Sequence, residues 1–302
     1  MKLLLLGGNG QVGRELRRVL PALGELVVAT REGADGDAVA DLDAPDSLPA
    51  LIDRIAPDVV VNAAAYTAVD RAESEPDAAF RVNALAPGAI AQACAATGAL
   101  LLHYSTDYVF DGSASRPYRE DDVTAPPGVY GASKLAGEEA IRASGARHAI
   151  LRTAWVYAAH GRNFLHTMLR LARERDELRV VGDQVGAPTP AAWIADASAR
   201  IVAHGVPASG TWHLVAAGET SWHGFAEAIM DEALAAGLLR RTPRVLPIAT
   251  ADYPTPARRP AYSVLDVAKL RRDFGIVPPD WRDGLRAVVG ELADGGAAAL
   301  FR

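Results

Sequence analysis

Apolar residues fall along this chain in two alternating rhythms. Short unbroken runs end in glycine or polar words, and longer stretches follow with apolar positions three and four apart. "KLLLLGG" opens the chain as a continuous apolar run closed by glycine, the mark of a strand buried on both faces. "QVGRELRRVLPAL" then turns helical, with Val12, Leu16, Val19 and Leu20 on one face. "ELVVAT" (25–30) and "DVVVNAAA" (58–65) read as further strands, with "PDSLPALIDRIA" as a short helix between them, opened by Asp46 or Ser47. "EPDAAFRVNALAPGAIAQACAATG" predicts a long helix in which Pro87 marks a kink or a first turn. "ALLLHYS" (99–105) is a fourth strand, "VYGASKLAGEEAIRAS" a helix, and "HAILRTAWVY" (148–157) one more strand.

Strands alternating with helices predict an α/β fold, a doubly wound parallel sheet of the Rossmann type with helices on both faces. Such sheets hold ligands at the carboxyl ends of their strands. "GGNGQVG", "NAAAYT" and "YSTDY" all follow strand ends, so they are expected along one edge. Beyond 157 the rhythm loosens. Helices at about 163–174, 190–203 and 222–236 alternate with "LRVVG" and "TWHLVA", and Pro and Arg cluster in "YPTPARRPAYS" before two closing helices. The chain is therefore divided into a dinucleotide-binding part at 1–157, to which about 186–212 returns, and a smaller interleaved substrate-binding lobe at 158–185 and 213–302.

Composition narrows the function. With 302 residues, half of them hydrophobic, the chain can bury a large core. A net charge of −6 with both signs mixed leaves no basic face for nucleic acid. Cys94 is the single cysteine, which excludes an internal disulfide and a thiolate metal cage and suits a reducing compartment. The first apolar run stops at Gly7, short of a signal segment, and no run approaches a membrane span. A cytoplasmic protein without membrane or nucleic-acid partners is expected.

Gly7, Gly10 and Gly13 form G-x-x-G-x-x-G between a strand and a helix. Glycine allows the tight turn and the close approach of a pyrophosphate, and the helix start offers free N–H groups. Nothing matches G-x-x-x-x-G-K-[ST], so an NTPase is not expected. The second strand ends at Thr30 and Arg31; an arginine there accommodates a 2′-phosphate, which favours NADPH, while Glu32 leaves NADH open. Tyr130 and Lys134 lie one helical turn apart in "YGASK". A phenol titrates near ~10, and a nearby ammonium together with a positively charged cofactor would lower it, making a general acid toward a carbonyl oxygen. Ser105 and Thr106, at a strand end, offer hydroxyls to hold that oxygen.

The ordered set "GGNGQVG", strand-end Ser-Thr and Y-x-x-x-K resembles the extended branch of the short-chain dehydrogenases/reductases. With "VVNAAAYTAVDRAE", "VNALAPGAIAQACA", "YSTDYVFDG", "ILRTAWVY" and "VGDQVGAPT" it is similar to the dTDP-4-dehydrorhamnose reductases, densely to about residue 200 and then at "RRPAYSVLDVAKL". That resemblance implies reduction of a sugar-nucleotide C4 ketone by NADPH or NADH. It implies that Gly10, Gln11 and Val12 hold the pyrophosphate, Asp41 and Leu42 border the adenine, and Ala63, Ala64 and Ala65 line the cofactor. It makes Tyr130 the proton donor, Lys134 its partner at the nicotinamide ribose, and Thr106 the holder of the keto oxygen. Asp107, Trp155, Asn163 and Gln184 would face the sugar nucleotide, Trp155 reading equally as a core tryptophan. Arg258 and Arg259 suit a diphosphate, or an ordinary solvated loop.

The chain also departs from the family. Glu15 and Glu291 stand where acids of a magnesium-linked dimer are expected, but Ala192 replaces a third, so no metal is expected, and either a monomer or a homodimer fits. Tyr262 stands where a small polar residue is usual. A 4,6-dehydratase would need a glutamate base where Tyr108 stands. An epimerase would share Tyr130 and Lys134 and retain NAD. Another 4-ketoreductase remains open. A regulatory subunit like that of methionine adenosyltransferase would bind nucleotide without turnover, against which the intact Thr106, Tyr130 and Lys134 argue.

Overall fold

The computed structural model describes residues 1–33 and 37–295. The first half runs β1 (Lys2–Leu6), α1 (Gln11–Val19), β2 (Glu25–Thr30), β3 (Ala38–Val39), α2 (Leu48–Ile55) and β4 (Val59–Asn62). It continues through α3 (Val69–Ala72), α4 (Pro76–Phe80), α5 (Ala86–Thr97), β5 (Leu100–Thr106), α6 (Val129–Ala143) and β6 (His148–Thr153). The second half comprises β7 (Val156–Tyr157), α7 (Phe164–Glu174), β8 (Glu177–Val181), β9 (Val185–Gly186), β10 (Thr189–Pro190) and α8 (Ala191–His204). It closes with β11 (Gly210–His213), β12 (Thr220–Ser221), α9 (Trp222–Ala235), β13 (Arg244–Ile248), α10 (Ala268–Phe274) and α11 (Trp281–Asp294).

Seven parallel strands form one sheet in the order β11-β6-β5-β4-β1-β2-β3. The unbroken leucines of β1 follow from its central place. Leu3 and Leu5 pack with Leu16 of α1 and Ile194 and Ile201 of α8 on one face. Leu4 and Leu6 pack with Leu48, Ile52 and Ile90 on the other. All four are fully buried, each contributing roughly 1.5–3 kcal/mol relative to exposure. Chain direction around the sheet reverses between β1 and β4, and the crevice outside such a reversal is where these sheets take ligands.

A second apolar core lies among α7, α9 and α11, built on Leu165, Leu169, Phe225, Ile229, Trp281, Leu285 and Val289. Three two-stranded pairings edge this region, β7 with β10, β9 with β12 and β8 with β13. Leu270, Phe274 and Ile276 pack with the sheet's own core. Among the described residues no helix is long and apolar enough to cross a membrane.

Two expectations change. The strand expected at 148–157 is broken, because Trp155 sits at φ +48°, left-handed backbone in which a ladder cannot continue. The long helix is interrupted by a π-helical turn at Arg81–Leu85, and Pro87 falls in the first turn of α5 beyond it. Strand β13 carries Pro247, which hid it from the sequence pattern; among the described residues it pairs only with β8, where a missing donor is tolerated.

Candidate active site

The glycine loop is made by close approach. Gly7 has φ +80°, and a Cβ there would stand 2.6 Å from the Ala64 nitrogen. A Cβ on Gly13 would stand 2.1 Å from the Gly7 carbonyl oxygen. The turn after β1 is thus pressed against the segment after β4, which brings Ala63, Ala64 and Ala65 beside it. Gly10 caps α1 with no side chain and no acid in the first turn, so the helix's first N–H groups and the positive end of its dipole stay free for an anion. A dinucleotide pyrophosphate fits this cradle. Arg31 and Asp41 lie at the ends of β2 and β3 and pair at 3.1 Å, with Leu42 buried beneath.

Strand β5 delivers two sets of groups. His103 and Ser105 face α6; Tyr104 points the other way, to Ser198 on α8 at 2.6 Å. Thr106 closes the strand. Its hydroxyl donates to Asp107 Oδ1 at 3.0 Å and accepts the Tyr108 N–H at 3.2 Å. Ser105 is directed to Glu138, so the expected Ser-Thr pair is divided and Thr106 alone stays with Tyr130. Tyr130 meets Tyr108 edge to face, centroids 5.6 Å apart.

Charges here are set by burial. Burial lifts the Tyr130 phenol well above its ordinary value, and the Thr106 side chain opposes this only in part. The expected lowering by an ammonium is absent in the protein alone, because Lys134 Nζ is turned to the Tyr104 carbonyl at 2.6 Å. Burial lowers the Lys134 ammonium to about 8 against the pull of Glu138. Burial raises the Asp107 carboxyl to about 6, opposed by the nearby Ser263 hydroxyl and by the hydrogen bond from Thr106.

The remaining residues divide. Trp155 lies between a stack on Trp222, centroids 3.5 Å and planes 5° apart, and the backbone of Gly186, where a Cβ would meet the indole at 2.6 Å. Asn163 caps α7 and donates to Gln11 Oε1 at 2.8 Å, which places it at the glycine loop. Gln184 donates to Thr250 at 3.0 Å. Arg259 binds Asp70 at 2.8 Å and reaches the Tyr108 hydroxyl at 3.3 Å, beside Tyr130; Arg258 is exposed. Tyr262 donates to Glu219 at 2.9 Å. Glu15 accepts from Arg18 at 3.3 Å and lies 2.8 Å from His160 Nε2.

Several residues at the site escaped the sequence. Asn83, in the π-helical turn, is buried and ties the Tyr66 backbone to Ser133 on α6 with bonds of 2.9–3.0 Å. Asn62 and His103 form a buried pair behind Lys134. A polar residue inside an apolar run, as in "VVVN" and "LLLH", was the available signal.

A doubly wound sheet with a glycine-lined switch point, a strand-end threonine and a Tyr-x-x-x-Lys helix defines an extended short-chain dehydrogenase/reductase. Residues 1–293 match the family described as RmlD substrate binding domain. The chain is 50% identical over 301 residues to dTDP-4-dehydrorhamnose reductase of Burkholderia thailandensis, covering 97% of this chain and 99% of that protein. The crystal structure of a dTDP-4-dehydrorhamnose reductase from Clostridium acetobutylicum superposes with TM-score 0.89 at 35% identity, covering 97% of this chain and 99% of the other. That from Bacillus anthracis, in complex with NADP, gives 0.88 at 33% identity, covering 96% and 99%. The chain belongs to the dTDP-4-dehydrorhamnose reductase family.

Proposed function

We propose that this protein reduces the C4 ketone of dTDP-4-dehydro-β-L-rhamnose to dTDP-β-L-rhamnose at the expense of NADPH. The observation that carries the reading is the meeting of Thr106, Tyr130 and Lys134 at the carboxyl edge of a sheet whose glycine loop fits a pyrophosphate. Near-complete similarity to reductases of that name supports the substrate. We read 1–157 with about 186–212 as the cofactor-binding part, joined by the 268–276 segment that packs on the same sheet core, and most of the remainder as the substrate-binding part.

NADPH, when bound, supplies the hydride. The protein's own residues bind, orient and move the proton. Gln11, Val12 and Gly13 would hold the pyrophosphate through backbone N–H groups, while Gly7 and Gly10, whose own N–H groups go to the Ala29 and Gly7 carbonyls, would let it approach closely. Arg31 would face the 2′-phosphate, Asp41 and Leu42 would border the adenine, and Ala63, Ala64 and Ala65 would line the cofactor. On substrate binding the Thr106 hydroxyl turns its one hydrogen from Asp107 to the keto oxygen and fixes that oxygen near Tyr130. Tyr130, kept protonated by burial, gives its proton to that oxygen as C4 is reduced. Lys134 stands on the same helix face to stabilise the phenolate left behind. Asp107 and Trp155 flank the sugar. Asn163 and Gln184 act at one remove, through Gln11 and Thr250.

Nicotinamide oxidation with dTDP-4-dehydro-L-rhamnose generated in place tests the reading. Oxidation that depends on the keto sugar supports it. Firm cofactor binding with no oxidation overturns it.

A further inference from the structure

Behind Lys134 runs a chain of hydrogen bonds with a direction. The Ala64 N–H donates to Asn62 Oδ1 at 3.2 Å, which turns the Asn62 amide nitrogen toward His103 Nδ1 at 3.1 Å. An amide nitrogen only donates, so Nδ1 accepts and the neutral ring carries its hydrogen on Nε2. Nε2 faces Lys134 Nζ at 3.4 Å. His103 is fully buried, and burial with the facing lysine holds its imidazole well below the ordinary value, so the neutral ring is the occupied form. Reversing Asn62 would set its NH₂ against the Ala64 N–H, donor to donor.

The consequence falls on Lys134. An ammonium has donors only and meets the His103 Nε2–H donor to donor, whereas an amine has a lone pair that accepts it. Other charged and titratable groups bear on the same nitrogen. Tyr130 lies one turn back along α6 and Glu138 one turn on. Glu138 favours the ammonium, but Arg152 of β6 holds its carboxylate by two bonds of 2.8 and 2.7 Å, and Arg142 adds a third.

We propose that His103 is a positioning residue for the reduction: the one-way chain from Ala64 through Asn62 presents an N–H to Lys134 and makes its neutral amine a populated state beside the ammonium. Burial of Lys134 acts in the same direction. Lys134 then loses and regains a proton in the working range of pH rather than standing as a permanent charge. This rests on Lys134 belonging to the site proposed above.

Lys2, Lys134 and Lys269 are the only lysines of the chain, so protein labelled with ¹³Cε-lysine gives three side-chain resonances. Titration of the full chain by NMR, without cofactor, reads the Lys134 ionisation directly, and Lys134→Met assigns its signal. Burial against the pull of Glu138 brings the midpoint to about 8, so with the His103 N–H facing it the native midpoint is expected at about 8 or below. Asn62→Leu leaves His103 in place but frees its ring to accept from the ammonium, and His103→Leu removes the N–H; each is expected to raise the midpoint by about one pH unit. The pH profile of kcat for Asn62→Leu is expected to move in parallel. A native midpoint near the ordinary ~10.4 overturns the proposal, as does a midpoint that neither variant moves. An NMR shift without any change in the pH profile overturns the positioning role. A native chain that binds NADPH but reduces no 4-keto sugar overturns the functional reading instead, and the titration, needing no substrate, still decides the donor chain.

Discussion

Replacing Asp107 by Asn is expected to stabilise the fold while damaging the enzyme. Asp107 is only 2% exposed; its Oδ1 accepts from Thr106, and its Oδ2 makes no close bond, though Ser263 is near enough to favour the carboxylate. Its carboxyl titrates at about 6 in the folded chain, against ~3.9 for an ordinary aspartate. The folded state therefore holds this proton more tightly than the unfolded state. The associated stability is fully present below ~3.9 and is lost as pH rises through about 6. Two units at ~1.36 kcal/mol each make the ionised group cost about 3 kcal/mol at neutral pH. Asn keeps the shape without the charge. Allowing about 1 kcal/mol for imperfect hydrogen bonds, about 2 kcal/mol remains. At roughly 2 °C per kcal/mol for a chain of this size, the melting temperature should rise by about 4 °C at neutral pH. Thermal melts of both proteins at one scan rate, between about pH 4 and about pH 8, check this. The difference should grow with pH and level off above about 7. A difference that is flat with pH, or a variant less stable throughout, would refute the buried-charge reasoning. Turnover should fall in the same variant if, as proposed, Asp107 flanks the sugar.

Further outcomes are expected. Tyr130→Phe should lower kcat by ~10²–10⁴ with NADPH affinity unchanged by fluorescence titration; normal turnover would remove Tyr130 as the acid. Arg31→Ala should raise the KM for NADPH about tenfold and leave that for NADH in place, read from initial rates with each cofactor. Gly7→Ala forces a Cβ to 2.6 Å from the Ala64 nitrogen at φ +80°, so stability should fall by more than about 1 kcal/mol, seen as a lower melting temperature with weaker cofactor binding. Trp222→Ala removes the ring behind Trp155 and should raise the KM for the sugar nucleotide several-fold without altering NADPH binding.

What could be read from the sequence was what is local. The leucines of β1, the glycine spacing and the single turn between Tyr130 and Lys134 each depend on neighbouring residues, and the structure keeps them as read. Positions fixed by distant parts of the chain were another matter. Trp155 lies in an apolar run with every sign of strand, and only its place between Trp222 and Gly186 accounts for its left-handed backbone. Asn163 reaches Gln11 across 152 residues, and Arg259 reaches Asp70 across 189. Neither span leaves a trace in periodicity. His103 and Lys134 were both visible as polar residues, but not as neighbours, because strand order decides which helix covers β5.

The route of the chain restricts how such a protein can evolve. Strand β11 joins the main sheet only after α7 and β8 have been laid down in the second core, and α9 and α11 then return to that core. No single cut separates the two cores into continuous pieces. Recombination therefore cannot exchange the part around α7, α9 and α11 as a cassette, and new specificities on this scaffold must arise by substitution and loop replacement in place.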